Sequence, residues 1–112
     1  MPKGGLQEFR RWIGANFNYP QNMINRKESG KVNLYFEINK EGIPSNFKVV
    51  SETNKGLGNF LVKLIEKYGT WSPAILDGNK VGFGQNVEVE LRYVNPSGFI
   101  RVNELKNGNF IL

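Results

Sequence analysis

A long alternating segment near the carboxyl end constrains the fold of this chain most strongly. Between Lys80 and Val94, two kinds of side chain alternate position by position. The odd positions are Val81, Phe83, Gln85, Val87, Val89, Leu91 and Tyr93, and the even positions are Gly82, Gly84, Asn86, Glu88, Glu90 and Arg92. Because successive side chains of a strand point to opposite faces, the pattern predicts a strand with one face on a core and one in water. Gly82 and Gly84 indicate a bend or bulge in it.

Two further segments have the apolar spacing of helices. The first carries Leu6, Phe9, Ile13 and Phe17 at steps of three and four, and it ends at Tyr19-Pro20, because the residue before a proline is disfavoured in the helical region. The second carries Leu57, Phe60, Leu61, Leu64, Ile65 and Tyr68, with Gly69 placed to end it. Each predicted helix has one apolar face that a sheet can cover.

The remaining segments predict short strands and turns. Val32–Ile38 alternates, and a turn at Asn39–Gly42 leads to a second strand at Phe47–Val50, whereas residues 21–30 are polar. Ile75-Leu76 precedes an Asp77-Gly78 hairpin turn. Asn95–Gly98 fits a type I turn, after which Phe99–Val102 is a candidate additional strand.

The order of these elements favours one α+β domain. Two helices on one face of a small antiparallel sheet, in the order α-β-β-α-β, bury both apolar stripes with the shortest connections. A length of 112 residues agrees with a single domain. We assign residues 1–94 to this domain and residues 95–112 to a tail.

The composition excludes most chemistry. The chain has no Cys and no His, and Asp77 is its one Asp, so thiolate or imidazole metal sites and imidazole-based catalysis are absent. We therefore expect neither an enzyme nor a cofactor. The carboxylates of Glu88 and Glu90 lie two apart on the face predicted to be wet, where solvated strand charges are the simpler interpretation. Trp12 and Trp71 flank element ends, and we interpret them as core residues rather than partner contacts.

Nucleic acid is also disfavoured as a partner. The net charge of +5 comes from scattered residues, and the predicted open face carries one aromatic, Tyr35, among carboxylates. An RNA-binding sheet needs several aromatics surrounded by basic side chains.

The backbone of the long strand is the remaining candidate for function. If this strand pairs on one side only, its other edge presents unpaired N–H and C=O groups. Such an edge binds an extended peptide as an added strand, or a second copy of the chain in a homodimer. The residues themselves leave both alternatives open.

Several short motifs follow one another between positions 2 and 94. They are Pro2-Lys3-Gly4-Gly5-Leu6, Tyr19-Pro20, Gly30-Lys31-Val32, Phe36-Glu37-Ile38, Gly42, Val49-Val50, Trp71-Ser72-Pro73-Ala74 and Val87–Leu91. In order and spacing this set resembles the carboxy-terminal domain of the TonB energy-transducer family, in its Bacteroidetes-type form. No single motif is specific, whereas the ordered set is.

The resemblance implies a periplasmic domain of an inner-membrane-anchored protein, here excised from its anchor and spacer. Its implied partner is an outer-membrane TonB-dependent receptor, whose TonB-box peptide adds as a strand beside the last strand of the domain. An ExbB/ExbD-type motor would act through the missing N-terminal anchor. The partner-binding residues implied in this way are Gln85, Asn86, Val87, Glu88, Val89, Glu90, Leu91, Arg92 and Tyr93, together with Asn16, Asn18, Tyr19 and Pro20.

The tail after Val94 is longer than is usual in the family. If Phe99–Val102 folds back on the long strand, it occupies the edge that the peptide needs. That arrangement would indicate autoinhibition, or a domain reused for another purpose such as self-association in the cell envelope.

Overall fold

The computed structural model describes residues 2–111, which form three helices and five strands. In chain order they are α1 (Gly5–Asn16), α2 (Gln21–Asn25), β1 (Gly30–Ile38), β2 (Pro44–Glu52), α3 (Leu57–Tyr68), β3 (Ala74–Leu76), β4 (Asn79–Val94) and β5 (Ser97–Ile111). The predicted α+β class and antiparallel sheet are confirmed.

The long strand β4 is the centre of the sheet. On one side, residues 83–91 of β4 pair antiparallel with β1, which pairs on its own far side with β2. On the other side, residues 82–94 pair antiparallel with β5. The short strand β3 pairs with β4 at positions 79–81. The long β4–β5 hairpin gives the molecule extents of 50 × 24 × 19 Å.

The core lies between the helices and one face of this sheet. The odd positions 83–91 of β4 are buried on it as predicted, whereas Val81 and Tyr93 at the two ends are half-buried and lie outside the core. The buried apolar side chains form one continuous cluster. Its members are Phe9, Ile13, Met23, Val32, Leu34, Phe36, Ile38, Leu57, Leu61, Leu64, Ile65, Trp71, Phe83, Val87, Val89, Leu91 and Val102. At roughly 1.5–3 kcal/mol for each large buried apolar side chain, this cluster is the main stabilising term of the fold.

Trp71 fastens the amino-terminal end of the chain to this core. Its side chain is 2% exposed, with ring centroids 5.2 Å from Phe9 and 5.3 Å from Phe36. Its backbone forms an isolated bridge with Pro2, and its N–H donates to the Gly42 carbonyl at 2.7 Å. The interpretation of Trp71 as a core residue is therefore confirmed.

Two local features differ from the sequence prediction. The polar segment 21–30 contains the short helix α2, which is held in place by Met23, its one buried residue. The predicted type I turn at Asn95–Gly98 is wrong, because Ser97 and Gly98 already pair with Val94 and Tyr93 in the ladder. The turn residues are Asn95 and Pro96, joined by a cis peptide bond, as in a type VI turn.

Two glycines in helices provide a matched test of the packing between α3 and β2. A Cβ added at Gly58 of α3 would collide with both methyl groups of Val49, whereas one added at Gly14 of α1 would meet open space. We expect Gly14→Ala to stabilise the domain by about 0.5–1 kcal/mol through helix propensity. Gly58→Ala should destabilise it by about 1–3 kcal/mol through overpacking, because valine cannot turn away.

Urea unfolding of both variants and the parent measures these changes. Stabilisation by both substitutions would contradict the close approach of α3 to Val49.

Candidate functional site

The backbone of the predicted binding strand is paired on both sides in this structure. Residues 85–91 of β4 lie between β1 and β5, and residues 92–94 continue the ladder with β5. The sequence left open whether the tail would cover this edge, and β5 does cover it. A peptide can therefore reach the edge of β4 only where β5 has left it.

One member of the second group of predicted partner-binding residues, Tyr19, lies at the start of β5. The Tyr19 hydroxyl donates to the carbonyl of Glu28, and a Cβ at Gly98 of β5 would collide with the Tyr19 ring. Because Gly98 is directly opposite Tyr93, the structure brings Tyr19 close to the carboxyl end of β4. Pro20 is the N-cap of α2.

The two asparagines of that group lie outside this contact. Asn16 donates from its side-chain amide to the Trp12 carbonyl at 3.0 Å, within α1. Asn18 is exposed. Of the four residues in this group, Tyr19 is the one whose aromatic ring packs against the β4–β5 hairpin.

A polar cluster joins β4 to β5 on the solvent face of the sheet. The side-chain amide of Asn103 donates to Glu88 at 3.0 Å and to Glu90 at 3.1 Å. Arg92 and Arg101 form ion pairs with Glu90 at 3.3 and 3.7 Å. The hydrogen bond from Asn103, assisted by the charges of the two arginines, lowers the pKa of Glu90 below its ordinary value. Both carboxylates lie on the solvent face as predicted, but the Glu90 side chain is 19% exposed and ion-paired rather than free in solvent.

Gln85 is a polar side chain placed in the core. It is fully buried, and its amide nitrogen donates to the Asn86 carbonyl at 3.1 Å. Its Oε1 atom accepts no hydrogen bond from any described residue. A buried acceptor without a donor costs about 1–3 kcal/mol, so the position is unfavourable for stability alone. Gln85 lies directly opposite Asn107 of β5.

Helix α1 covers part of the outer edge of β5, the edge that does not pair with β4. The guanidinium of Arg10 donates to the Val102 carbonyl at 3.2 Å, and α1 packs against β5. Charged side chains and covering helices are common ways to blunt an exposed strand edge. Every residue from 106 to 111 of β5 is exposed.

A groove of about 550 Å³ lies between α2 and the start of α3. Its lining includes Pro20, Met23, Arg26, Glu28 and Phe60. Within residues 2–111, no group of three or more carboxylates, cysteines or histidines could hold a metal ion. None of the helices described is long and apolar enough to cross a membrane.

Residues 15–94 match the family described as Gram-negative bacterial TonB protein C-terminal. The chain belongs to this family. No curated protein and no solved structure matches it. The match supports a periplasmic, transport-associated domain of the TonB type, and that family is non-enzymatic. The Bacteroidetes-type subgroup stays a prediction.

In this TonB domain, the end of the region that matches the family coincides with the end of a strand. The match ends at residue 94, which is the last residue of β4. The strand that covers β4 begins three residues later, at Ser97. The covering strand is therefore an element beyond the matched region.

The sequence pattern indicates only the first part of β5. Ile100 and Val102 alternate as in a strand, but the register with β4 then shifts by one residue at Asn103. Because of this bulge, Leu105 is the next side chain that packs against the core, whereas Glu104 is exposed. The period of two is interrupted there, so the sequence predicts a strand that ends at Val102. It gives no signal for Asn103, whose role depends on the carboxylates across the hairpin.

The lowered pKa of Glu90 gives a test of the contact made by Asn103. A carboxyl pKa that is lower in the folded state means that its contacts stabilise the fold above the ordinary titration range of glutamate, and that this stabilisation is lost as the pH falls. We expect Asn103→Ala to raise the pKa of Glu90 toward its ordinary value, because the largest cause of the shift is removed. Asn107→Ala, on the same strand, is the matched control and should leave it unchanged.

A pH titration of the side-chain carboxyl ¹³C shifts measures both variants. An unchanged pKa of Glu90 in Asn103→Ala would contradict the hydrogen bond across the hairpin.

Proposed function

We propose that this chain is the receptor-binding domain of a TonB-type energy transducer. In this proposal it binds the amino-terminal peptide of an outer-membrane TonB-dependent receptor by strand addition, and it transmits force from an ExbB/ExbD-type inner-membrane motor. The observation that carries the proposal is that a region matching the TonB family ends with the long strand β4, whose edge is covered by an element outside that region.

The chemistry of the described residues supports recognition by backbone. The chain has no Cys or His for side-chain catalysis, whereas β4 provides the backbone of a 16-residue strand. Main-chain hydrogen bonds supply affinity in strand addition, and alternate side chains supply specificity.

The attachment of the amino-terminal residues supports force transmission. Pro2 is bridged to Trp71, and the Tyr68 hydroxyl donates to the Lys3 carbonyl. A pull applied ahead of Pro2 would therefore reach the buried Trp71 directly. The force would act on the core at Trp71 before it could unwind α1, because the attachment at Pro2 comes before that helix in the chain.

Titration with a receptor peptide tests the proposed function. The probe is the TonB-box peptide of a receptor encoded in the same genome, added to ¹⁵N-labelled protein and followed by amide NMR shifts. We expect weak binding that moves amides of β4 and β5. The same peptide with proline at alternate positions is the control, because proline removes backbone donors.

Unmoved β4 and β5 amides at saturating peptide would contradict the proposal. Equal shifts with the proline-containing peptide would contradict recognition by backbone pairing.

A second candidate function, self-association in the envelope, is favoured by the outer edge of β5. Phe110 is 52% exposed and Ile111 is 38% exposed on this strand, and exposed apolar edges promote strand pairing between copies. Sedimentation over a range of protein concentrations separates this candidate from receptor binding. It predicts a concentration-dependent dimer that Phe110→Lys weakens, whereas a monomer at all concentrations would exclude it.

A further inference from the structure

The first part of β5 is held by side chains on both faces of the sheet. We call residues 97–105 the proximal part. Val102 is 3% exposed, and Ile100 and Leu105 pack against the core. Arg10 from α1 donates to the Val102 carbonyl, and Asn103 donates to carboxylates of β4. Removing this part from β4 would expose core residues and break polar contacts at the same time.

The second part of β5 has no buried side chain and is held mainly by the backbone ladder. We call residues 106–111 the distal part. All six are exposed, and within residues 2–111 none of them forms a side-chain hydrogen bond or an ion pair. The ladder there is also interrupted, because the register shifts between the pairs Phe83–Phe110 and Gln85–Asn107. Interrupted ladders with exposed side chains belong to the regions that open most readily.

This difference along one strand assigns the place where a partner enters. We propose that an incoming receptor strand displaces the distal part of β5 alone, and pairs with residues 82–86 of β4 while the proximal part stays in place. The inference rests on the proposed function and narrows its site. We call residues 82–86 the uncovered segment. It is kept in position by β1, which pairs with residues 83–86 on the opposite side.

The displaced segment and the incoming strand compete for the same backbone groups. Each backbone bond that the distal part gives up is replaced by an equivalent bond to the peptide, and no buried side chain of β5 is uncovered. If the proximal part were displaced, new backbone bonds would not compensate for everything that is lost, because the peptide would also have to replace the Val102 side chain in the core. The distal part therefore acts as an internal competitor that lowers the apparent affinity of the domain.

Within the uncovered segment, Gln85 is the residue whose side chain can select the sequence of the incoming strand, by accepting a hydrogen bond from it. Its Oε1 atom is buried and accepts no hydrogen bond from any described residue. Residues directly opposite on neighbouring strands are close enough for their side chains to interact. A donor side chain on the peptide, taking the place of Asn107, would lie on the same face as Gln85. We expect partner peptides to carry a serine or threonine there, because the amide of Asn107 at this position does not donate to Gln85 in the free domain.

Disulfide locks test the proposal, because the chain has no natural cysteine. Asn86→Cys with Lys106→Cys joins directly opposite residues and ties the distal part to β4. Glu90→Cys with Arg101→Cys does the same for the proximal part. The Kd for a fluorescent TonB-box peptide is measured for each variant oxidised and reduced, with disulfide formation verified by mass spectrometry. The reduced form of each variant is its own control for the substitutions.

We expect the distal lock to weaken binding by at least about tenfold on oxidation, since it removes the open state, and the proximal lock to leave the Kd within about twofold. Loss of binding in both locks would show that all of β5 leaves, and it would overturn the inference while strand addition to β4 stands. Unchanged binding in both would place the peptide on another surface and also overturn it. Absence of binding in every reduced form would instead overturn the proposed function.

Discussion

The pairing of the two edges of β4 is the constraint on which the rest of this structure depends. A strand has two rows of backbone donors and acceptors, and each row must be satisfied by another strand or by water. β1 satisfies one row of β4 and fixes the odd side chains on the core. β5 satisfies the other row from within the same chain. The helices, Trp71 and the amino-terminal bridge all assemble around the face that the first pairing creates.

The second pairing carries the functional consequence. The family match ends with β4, so β5 occupies from within the chain the row that a strand-adding partner would use. Its two parts differ in physical character. The proximal part adds Val102 to the core and polar contacts to the surface, and so stabilises the fold. The distal part buries no side chain fully and adds mainly backbone hydrogen bonds, which a partner can supply equally well. One strand thereby combines a structural role with that of a replaceable cover.

Local patterns predict much of this arrangement. The alternation of residues 81–93 and the spacing of residues 57–68 predict β4 and α3, because in both segments burial follows a single regular period. α2 escapes detection because five residues with one buried side chain, Met23, form no period. The sequence does not predict the full length of β5, because the register shift at Asn103 breaks the alternation of its side chains. Gln85 is assigned correctly to the core face, but its unsatisfied oxygen depends on neighbours that the linear sequence does not reveal. Whether an edge is open is likewise a property of the assembled sheet.

Cross-strand nuclear Overhauser effects test the central claim, that a partner strand takes the place of the distal part of β5 beside β4. In the free domain, contacts across β4 and β5 should be present both at Phe83–Phe110 and at Val89–Val102, which are directly opposite pairs. When the receptor peptide saturates the domain, the account predicts loss of the Phe83–Phe110 contact, retention of the Val89–Val102 contact, and new contacts from the peptide to Phe83. Persistence of both intramolecular contacts in the saturated complex would contradict it.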